Sequence, residues 1–236
     1  MVTSLKSALL SVESLLALES MVDGQARKEI ELVFYTQFTP EQFVELQAKA
    51  ISTEIQEQFS HRAENGTIRM RACTDRYSRV SEDAIEDEYI LTTKVWSSDD
   101  SFGKSEVEVE SSRAMFMHFK TLFTEGMYKQ RFRVSGPTVS HPDQPDEKTQ
   151  LVYEVDVFFT DSDAICPWVK IDLELPEYLE STRNDYKVLP EWLQGSDLIT
   201  AQHGEKTPEI ETQIKSLYRD HFSVIPQGRP RLEMKA

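Results

Sequence analysis

The feature that most constrains this chain is a set of segments in which charge alternates with apolar residues, one sign of charge to most segments. Side chains on a strand point alternately to its two faces, so residues two apart share a side. Glu29 and Glu31, Arg69 and Arg71, Lys94, Glu106 with Glu108 and Glu110, Lys129 with Arg131 and Arg133, Glu154 and Asp156, and Lys170 with Asp172 and Glu174 each place charge on one face. The opposite positions are Ile30 and Leu32, Ile68 and Met70, Val107 and Val109, Phe132 and Val134, Val155 and Val157, Ile171 and Leu173. Such an apolar face has to meet a core.

Solvated faces ordinarily mix both signs with neutral polar groups, because like charges two apart on a strand repel. The block pattern is tolerable where metal cations lie among the carboxylates and phosphate oxygens among the Arg and Lys side chains. Closing the sheet puts the charges inside and leaves the apolar faces for helices to cover. The expectation is an α+β fold, a closed antiparallel β-barrel of about eight strands forming a tunnel for one small ligand, with helices packed outside.

Leu5, Leu9, Val12 and Leu16 predict an amphipathic helix that stops at Asp23-Gly24. Thr39-Pro40-Glu41-Gln42 opens a helix expected to reach Thr53, Ser111 or Ser112 caps one carrying Met115, Phe116, Phe119, Leu122 and Phe123, and Thr207-Pro208 opens the last. Strands are expected over 55–62 and 67–73 around Asn65-Gly66, then Tyr89 to Trp96, Glu106 to Glu110, Tyr128 to Ser135, Leu151 to Phe159 and Trp168 to Leu175. A Pro-rich turn segment separates the strands on either side of 140–148, and 176–206 reads as irregular. The organisation is a helical extension over 1–24, one domain over 25–225 and a tail over 226–236.

The net charge of −15 excludes a broad nucleic-acid surface, since such binding draws on Lys and Arg against the phosphate backbone. Cys73 and Cys166 form no CxxC pair, so neither a disulfide framework nor a zinc site is signalled. No apolar run approaches membrane-spanning length, and the first apolar stretch is interrupted by Glu13 and lacks a cleavage site, so a cytoplasmic, unprocessed protein is expected. The histidines show no metal-ligand spacing. No Walker A sequence, dinucleotide fingerprint or nucleophile motif is present, so phosphate binding has to come from side chains.

Taken in order, Glu29-Ile-Glu31, Ile68-Arg69-Met70-Arg71, Leu91-Thr-Thr-Lys94, Glu106-Val-Glu108, Lys129-Gln-Arg131, Tyr153-Glu-Val-Asp-Val-Phe158 and Asp172-Leu-Glu174-Leu-Pro176 resemble the motifs of the CYTH, or triphosphate tunnel metalloenzyme, superfamily. The segment Pro190-Glu-Trp-Leu-Gln-Gly195 is similar to a late family segment. The resemblance implies a tunnel protein that binds or hydrolyses triphosphate compounds, inorganic triphosphate or a nucleoside triphosphate, with Mg²⁺ or Mn²⁺. It implies Glu29, Glu31, Glu154 and Asp156 as catalytic carboxylates and Glu29, Glu31, Glu108, Asp156, Asp172 and Glu174 as metal ligands. Arg69, Arg71, Lys94, Lys129, Arg131 and Arg133 would hold phosphate oxygens, with Lys170 as a less specific member.

One position departs from the family pattern. The first motif is usually Glu-x-Glu-x-Lys, and its fifth position here is Val33. The alternatives are a protein that binds or sequesters nucleotide or polyphosphate without cleaving it, an RNA 5′-triphosphatase, to which Arg131-Phe-Arg133-Val-Ser135 is similar, and a class IV type adenylate cyclase. The expected partner is a triphosphate-containing small molecule, with no membrane and no nucleic acid beyond a triphosphate RNA end.

Overall fold

Local sequence sets most of the elements in the computed structural model, which describes residues 27–63, 66–79, 85–96, 104–122, 126–200, 207–225, 228 and 230–233. The expected helix over Leu5 to Leu16 lies outside the described residues. Helix α1 spans Pro40–Lys49 and opens with a capping box, Gln42 N–H donating to Thr39 Oγ1 at 3.4 Å and Thr39 N–H to Gln42 Oε1 at 3.0 Å. It ends earlier than expected. The Ile51 N–H donates to the carbonyl of Arg133 at 2.8 Å, which commits the chain to a strand before Thr53. Helix α2 is Arg113–Leu122, where Ser112 Oγ accepts from Met115 N–H at 3.2 Å, and α3 is Pro208–Leu217, capped by Thr207.

The strands are β1 Arg27–Gln37, β2 Ser52–Ala63, β3 Gly66–Ser78, β4 Glu88–Trp96, β5 Lys104–Glu110, β6 Gly126–His141, β7 Gln144–Phe159, β8 Ile165–Leu175 and β9 Ser196–Thr200. Two differ from expectation in kind. The segment read as a Pro-rich turn is a long hairpin, β6 and β7 meeting at Pro142-Asp143; its residues 144–150 are exposed and carry no apolar alternation to reveal a strand. Strand β9 lies in the stretch read as irregular, which also holds 3₁₀ turns at Glu177–Tyr186 and Glu191–Leu193. Gly195 precedes β9 because a Cβ there would sit 1.8 Å from the Gln37 carbonyl oxygen.

The expected eight-stranded closed barrel is corrected to a nine-stranded antiparallel sheet, in the order β5-β4-β3-β2-β6-β7-β8-β1-β9. The physical reason lies at β1. One edge of β1 pairs with β8 from Ile30 to Gln37. The other is divided, Arg27–Glu29 pairing with Lys104–Glu106 of β5 and Phe34, Tyr35 and Gln37 pairing with β9, so a ninth strand shares with β5 the edge that the eight-strand expectation left to a single neighbour.

The chain falls into two compact units, Met1–Glu29, Gln58–Ala72 and Glu88–Gly126 forming the first, and Ile30–Glu57, Cys73–Asp87 and Met127–Ala236 the second. In the first, Phe59 and Tyr89 pack on the buried Phe116 of α2 at ring distances of 5.7 and 5.8 Å. In the second, the alternate positions Ile30, Leu32, Phe34, Phe132, Val134, Val155, Val157, Ile171 and Leu173 form a core with Leu46 of α1 and with Leu179, Leu189 and Leu193 of the irregular stretch. Burying a side chain of this size contributes about 1.5–3 kcal/mol. A smaller cluster on the other face joins Tyr35, Phe158 and Ile199 to Ile214 and Leu217 of α3 and to Phe222. Among the described residues no helix is long and apolar enough to cross a membrane.

Candidate functional site

In the second unit the charged face of β6, β7 and β8 follows from register. Arg131 pairs with Asp156 and Arg133 with Glu154 across β6 and β7, while Asp156 pairs with Lys170 and Glu154 with Asp172 across β7 and β8. Opposite charges therefore face one another at three of these pairs, while Glu154 and Asp172 set two carboxylates side by side, next to Arg131. Directly opposed side chains lie within ion-pairing reach.

Arg131 is the hub. Its Nε donates to Asp156 Oδ1 at 2.7 Å and its Nη2 to Asp156 Oδ2 at 3.0 Å, a two-pronged grip, while Nη1 donates to Glu154 and Nη2 lies 3.7 Å from Asp172 Oδ2. Lys129 Nζ also donates to Asp156. Arg133 donates through Nε to Glu154 Oε1 at 3.0 Å and through Nη2 to Glu54 Oε1 at 3.2 Å. Lys170 Nζ donates to Asp172 and lies 3.8 Å from Glu31 Oε1. Asp156 is 0 % exposed, which makes this a buried network rather than a set of surface pairs.

Burial sets the electrostatics. It would raise the Asp156 carboxyl, but Arg131 first and Lys129 second hold it far below the usual carboxylate range. Glu154 is lowered in the same way by Arg131 and Arg133, and Glu54 by Arg133. Burial, aided by repulsion from Arg131, brings the Lys129 ammonium down to about 7 against the pull of Asp156. Burial lifts Asp172 to about 7, Glu31 and Asp156 adding to the rise while Lys170 and Arg131 oppose it. Lys170 is raised, since Asp172 and Glu31 outweigh its burial. Burial thus presses Lys129 toward its neutral amine and Asp172 toward its protonated acid.

The first unit gathers the other expected residues. Glu108 Oε1 accepts from Arg71 Nη2 at 3.2 Å, Arg69 Nη2 at 3.4 Å and Thr92 Oγ1 at 2.8 Å, and Lys94 Nζ lies 2.7 Å from Glu106 Oε2. Burial would raise the Glu108 carboxyl, but Arg71, Thr92 and Arg69 hold it below its ordinary value. Glu29 sits on β1 opposite Lys104 of β5, and its side chain lies outside the described residues. Glu174 is exposed and in register with Glu31.

Among the described residues no group of three or more His, Cys, Asp or Glu is gathered to hold a metal ion. Glu31 and Asp172 are the pair that fits one. Asp172 Oδ1 is buried without a hydrogen-bond partner, and Mg²⁺ characteristically takes one or two carboxylates and completes its shell with water and phosphate oxygens. Glu108 and Asp156, also expected as ligands, are instead held by Arg71 with Arg69 and by Arg131 with Lys129.

Sequence reasoning passed over Glu54, which Arg133 and Arg76 both approach, at 3.2 and 3.5 Å. The signal was present in the alternation Glu54, Gln56 and Gln58, but the neutral amides hid it among single-sign segments. Tyr35 and Tyr218 were also missed; their hydroxyls lie 3.2 Å apart, and Lys170, Asp172 and Glu31 act electrostatically on Tyr218. Val33, where the family pattern has lysine, packs against the cluster of Tyr35, Phe158 and Phe222.

No family model matches the chain, and no curated protein matches it. Among solved structures, the PH1819 protein of Pyrococcus horikoshii OT3 is 14 % identical with a TM-score of 0.42, covering 79 % of this chain and 99 % of its own. A conserved hypothetical protein of Pyrococcus furiosus is 14 % identical with a TM-score of 0.41, covering 67 % and 87 %. The PH1012 protein of Pyrococcus horikoshii OT3 is 11 % identical with a TM-score of 0.38, covering 66 % and 86 %. Likenesses this distant carry no argument about function, which has to come from the residues of the site.

Proposed function

We propose that the chain binds triphosphate compounds, inorganic triphosphate or a nucleoside triphosphate, on the charged face of its sheet and hydrolyses them with a divalent metal. The observation that carries this reading is the buried network of Lys129, Arg131, Arg133 and Lys170 with Glu31, Glu54, Glu154, Asp156 and Asp172. Burying so many ionised groups brings little or no net stability, because desolvation offsets the attraction, so a functional demand accounts better for the cluster.

Arg131 and Arg133 offer planar forks that match phosphate oxygens, and Lys129 and Lys170 add point charges. Asp156 and Glu154 hold the two guanidinium groups in place, so the donors are arranged before a ligand arrives. Glu31 and Asp172 would hold Mg²⁺ or Mn²⁺, which when bound supplies a Lewis acid that neutralises phosphate charge. The free cysteines Cys73 and Cys166 are both buried, in keeping with a cytoplasmic setting.

A second reading, retention without cleavage, is favoured by Val33. An apolar side chain packed beside the site supplies no charge to a developing transition state. Phosphate release from tripolyphosphate, ATP, GTP and triphosphate-ended RNA, measured in Mg²⁺, Mn²⁺ and EDTA, separates the two. Release that disappears in Glu31→Ala and in EDTA is the expected result, and Arg131→Ala should weaken triphosphate binding. Tight binding with every nucleotide returned intact establishes the second reading, and normal kinetics in both variants rejects the site.

A further inference from the structure

On the apolar face of β6 the row reads Tyr128, Gln130, Phe132 and Val134, and Gln130 alone is neither aromatic nor aliphatic. It is 3 % exposed. A buried amide without partners is costly, so the partners of Gln130 state what the residue is for. Its Oε1 accepts from the Leu232 N–H at 2.6 Å, and its Nε2 donates to the Leu232 carbonyl at 3.0 Å and to Thr53 Oγ1 at 3.1 Å. Thr53 Oγ1 in turn donates to the backbone carbonyl of Arg131 at 2.9 Å. An unbroken hydrogen-bonded chain therefore runs from the C-terminal segment through two buried side chains to the backbone of Arg131.

The same segment is attached at other points. The Tyr128 N–H donates to the Val224 carbonyl at 3.3 Å, Ile225 and Leu232 pack against the main core, and Arg231 Nη1 lies 4.0 Å from Asp75 Oδ2. Residues 224, 225, 231 and 232 thus hold the side of β6 opposite its charged face.

We infer that this C-terminal segment is a strap that positions Arg131, with Gln130 and Leu232 as the positioning residues. Gln130 lies between Lys129 and Arg131 in sequence and faces away from them, so it acts on the site only through the backbone of β6. The strap fixes the Arg131 carbonyl on one side of the strand while Asp156 fixes its guanidinium on the other. The role rests on the reading of Arg131 as a phosphate-binding residue, but the strap has a measurable consequence without any ligand.

The test uses the full-length chain. Leu232→Pro removes the N–H that Gln130 accepts, Leu232→Ala retains it, and Gln130→Met replaces the amide with an apolar side chain of similar length. Hydrogen exchange at Arg131 Nε is followed by NMR against Arg133 Nε, whose bond to Glu154 Oε1 serves as internal reference. Exchange at Arg131 is expected to quicken about tenfold in Leu232→Pro and Gln130→Met, the effect of losing one or two hydrogen bonds, with Arg133 and the Leu232→Ala chain little changed. The dissociation constant for tripolyphosphate should rise by a similar factor in the same two variants. Equal acceleration at Arg131 and Arg133 signals general loosening and overturns the strap, as does no change at Arg131. If Gln130→Met fails to fold, Leu232→Pro decides alone. If the unaltered chain does not bind tripolyphosphate, the phosphate reading falls and the exchange result still decides the strap.

Discussion

Replacing Asp156 by Asn should cost this protein about 3–5 kcal/mol, the loss characteristic of removing one partner from a buried ion pair. The carboxylate is 0 % exposed and accepts from Arg131 Nε at 2.7 Å, from Arg131 Nη2 at 3.0 Å and from Lys129 Nζ. An amide keeps the shape, accepts at one oxygen and turns a donor toward the cations, leaving the buried Arg131 guanidinium without its two-pronged partner and driving Lys129 further toward its neutral form. For a chain of this length the loss corresponds to a fall in melting temperature of roughly 6–20 °C. Urea unfolding is the assay, with an unchanged dependence on denaturant showing that the mutation acts on stability rather than on compactness. The informative comparison is the triple variant Lys129→Met, Arg131→Met, Asp156→Leu. It removes Asp156 together with both of its cationic partners, while Arg133 still pairs with Glu154 and Lys170 with Asp172, so it should recover much of the stability while losing triphosphate binding. A cost under about 1 kcal/mol for Asp156→Asn would refute the claim that these charges are desolvated together.

Two further outcomes follow from single residues. Glu54 has its pKa lowered, with Arg133 overcoming the opposing effect of burial, so its contribution to stability is present above the ordinary glutamate value and lost as pH falls through the depressed one. Unfolding measured from neutral pH down to about 3 should show less acid destabilisation in Glu54→Gln than in the unaltered chain, and parallel curves would count against the Arg133 pairing. Gly195→Ala should destabilise by about 2 kcal/mol or more, since the new methyl would sit 1.8 Å from the Gln37 carbonyl and 2.7 Å from its carbon. An unchanged melting temperature would show that β9 can move away from β1 at no cost.

What was legible in the sequence is what local rules govern. The single-sign alternation on Glu29, Glu31, Arg69, Arg71, Lys129, Arg131, Arg133, Glu154 and Asp156 marked strands and sorted their faces, because side-chain direction along a strand depends on the strand alone. Thr39-Pro40, Ser112 and Thr207-Pro208 marked helix starts, because a cap is completed within a turn. Strand β7 was recognised only from Leu151 onward. Its first residues alternate nothing, and their partners in β6 are what make them a strand.

Tertiary structure decided the rest, because the deciding contacts join residues far apart in the chain. Which strand takes each part of the β1 edge depends on β5 and β9, and that pairing turns the eight-strand expectation into a nine-stranded sheet. Alternation could show that charges share a face, but only the pairing of strands could place Arg131 opposite Asp156 and Lys170 near Glu31. Only the fold brings Leu232 beside Gln130 and gives the amide in the apolar row of β6 its partners. The sequence by itself determined the chemical character of each face, since that is fixed by residue type and a two-residue period. The third dimension determined which charges are paired, which are pressed toward their neutral forms and what holds them, since an ion pair's strength depends on the distance and burial that only the folded chain supplies.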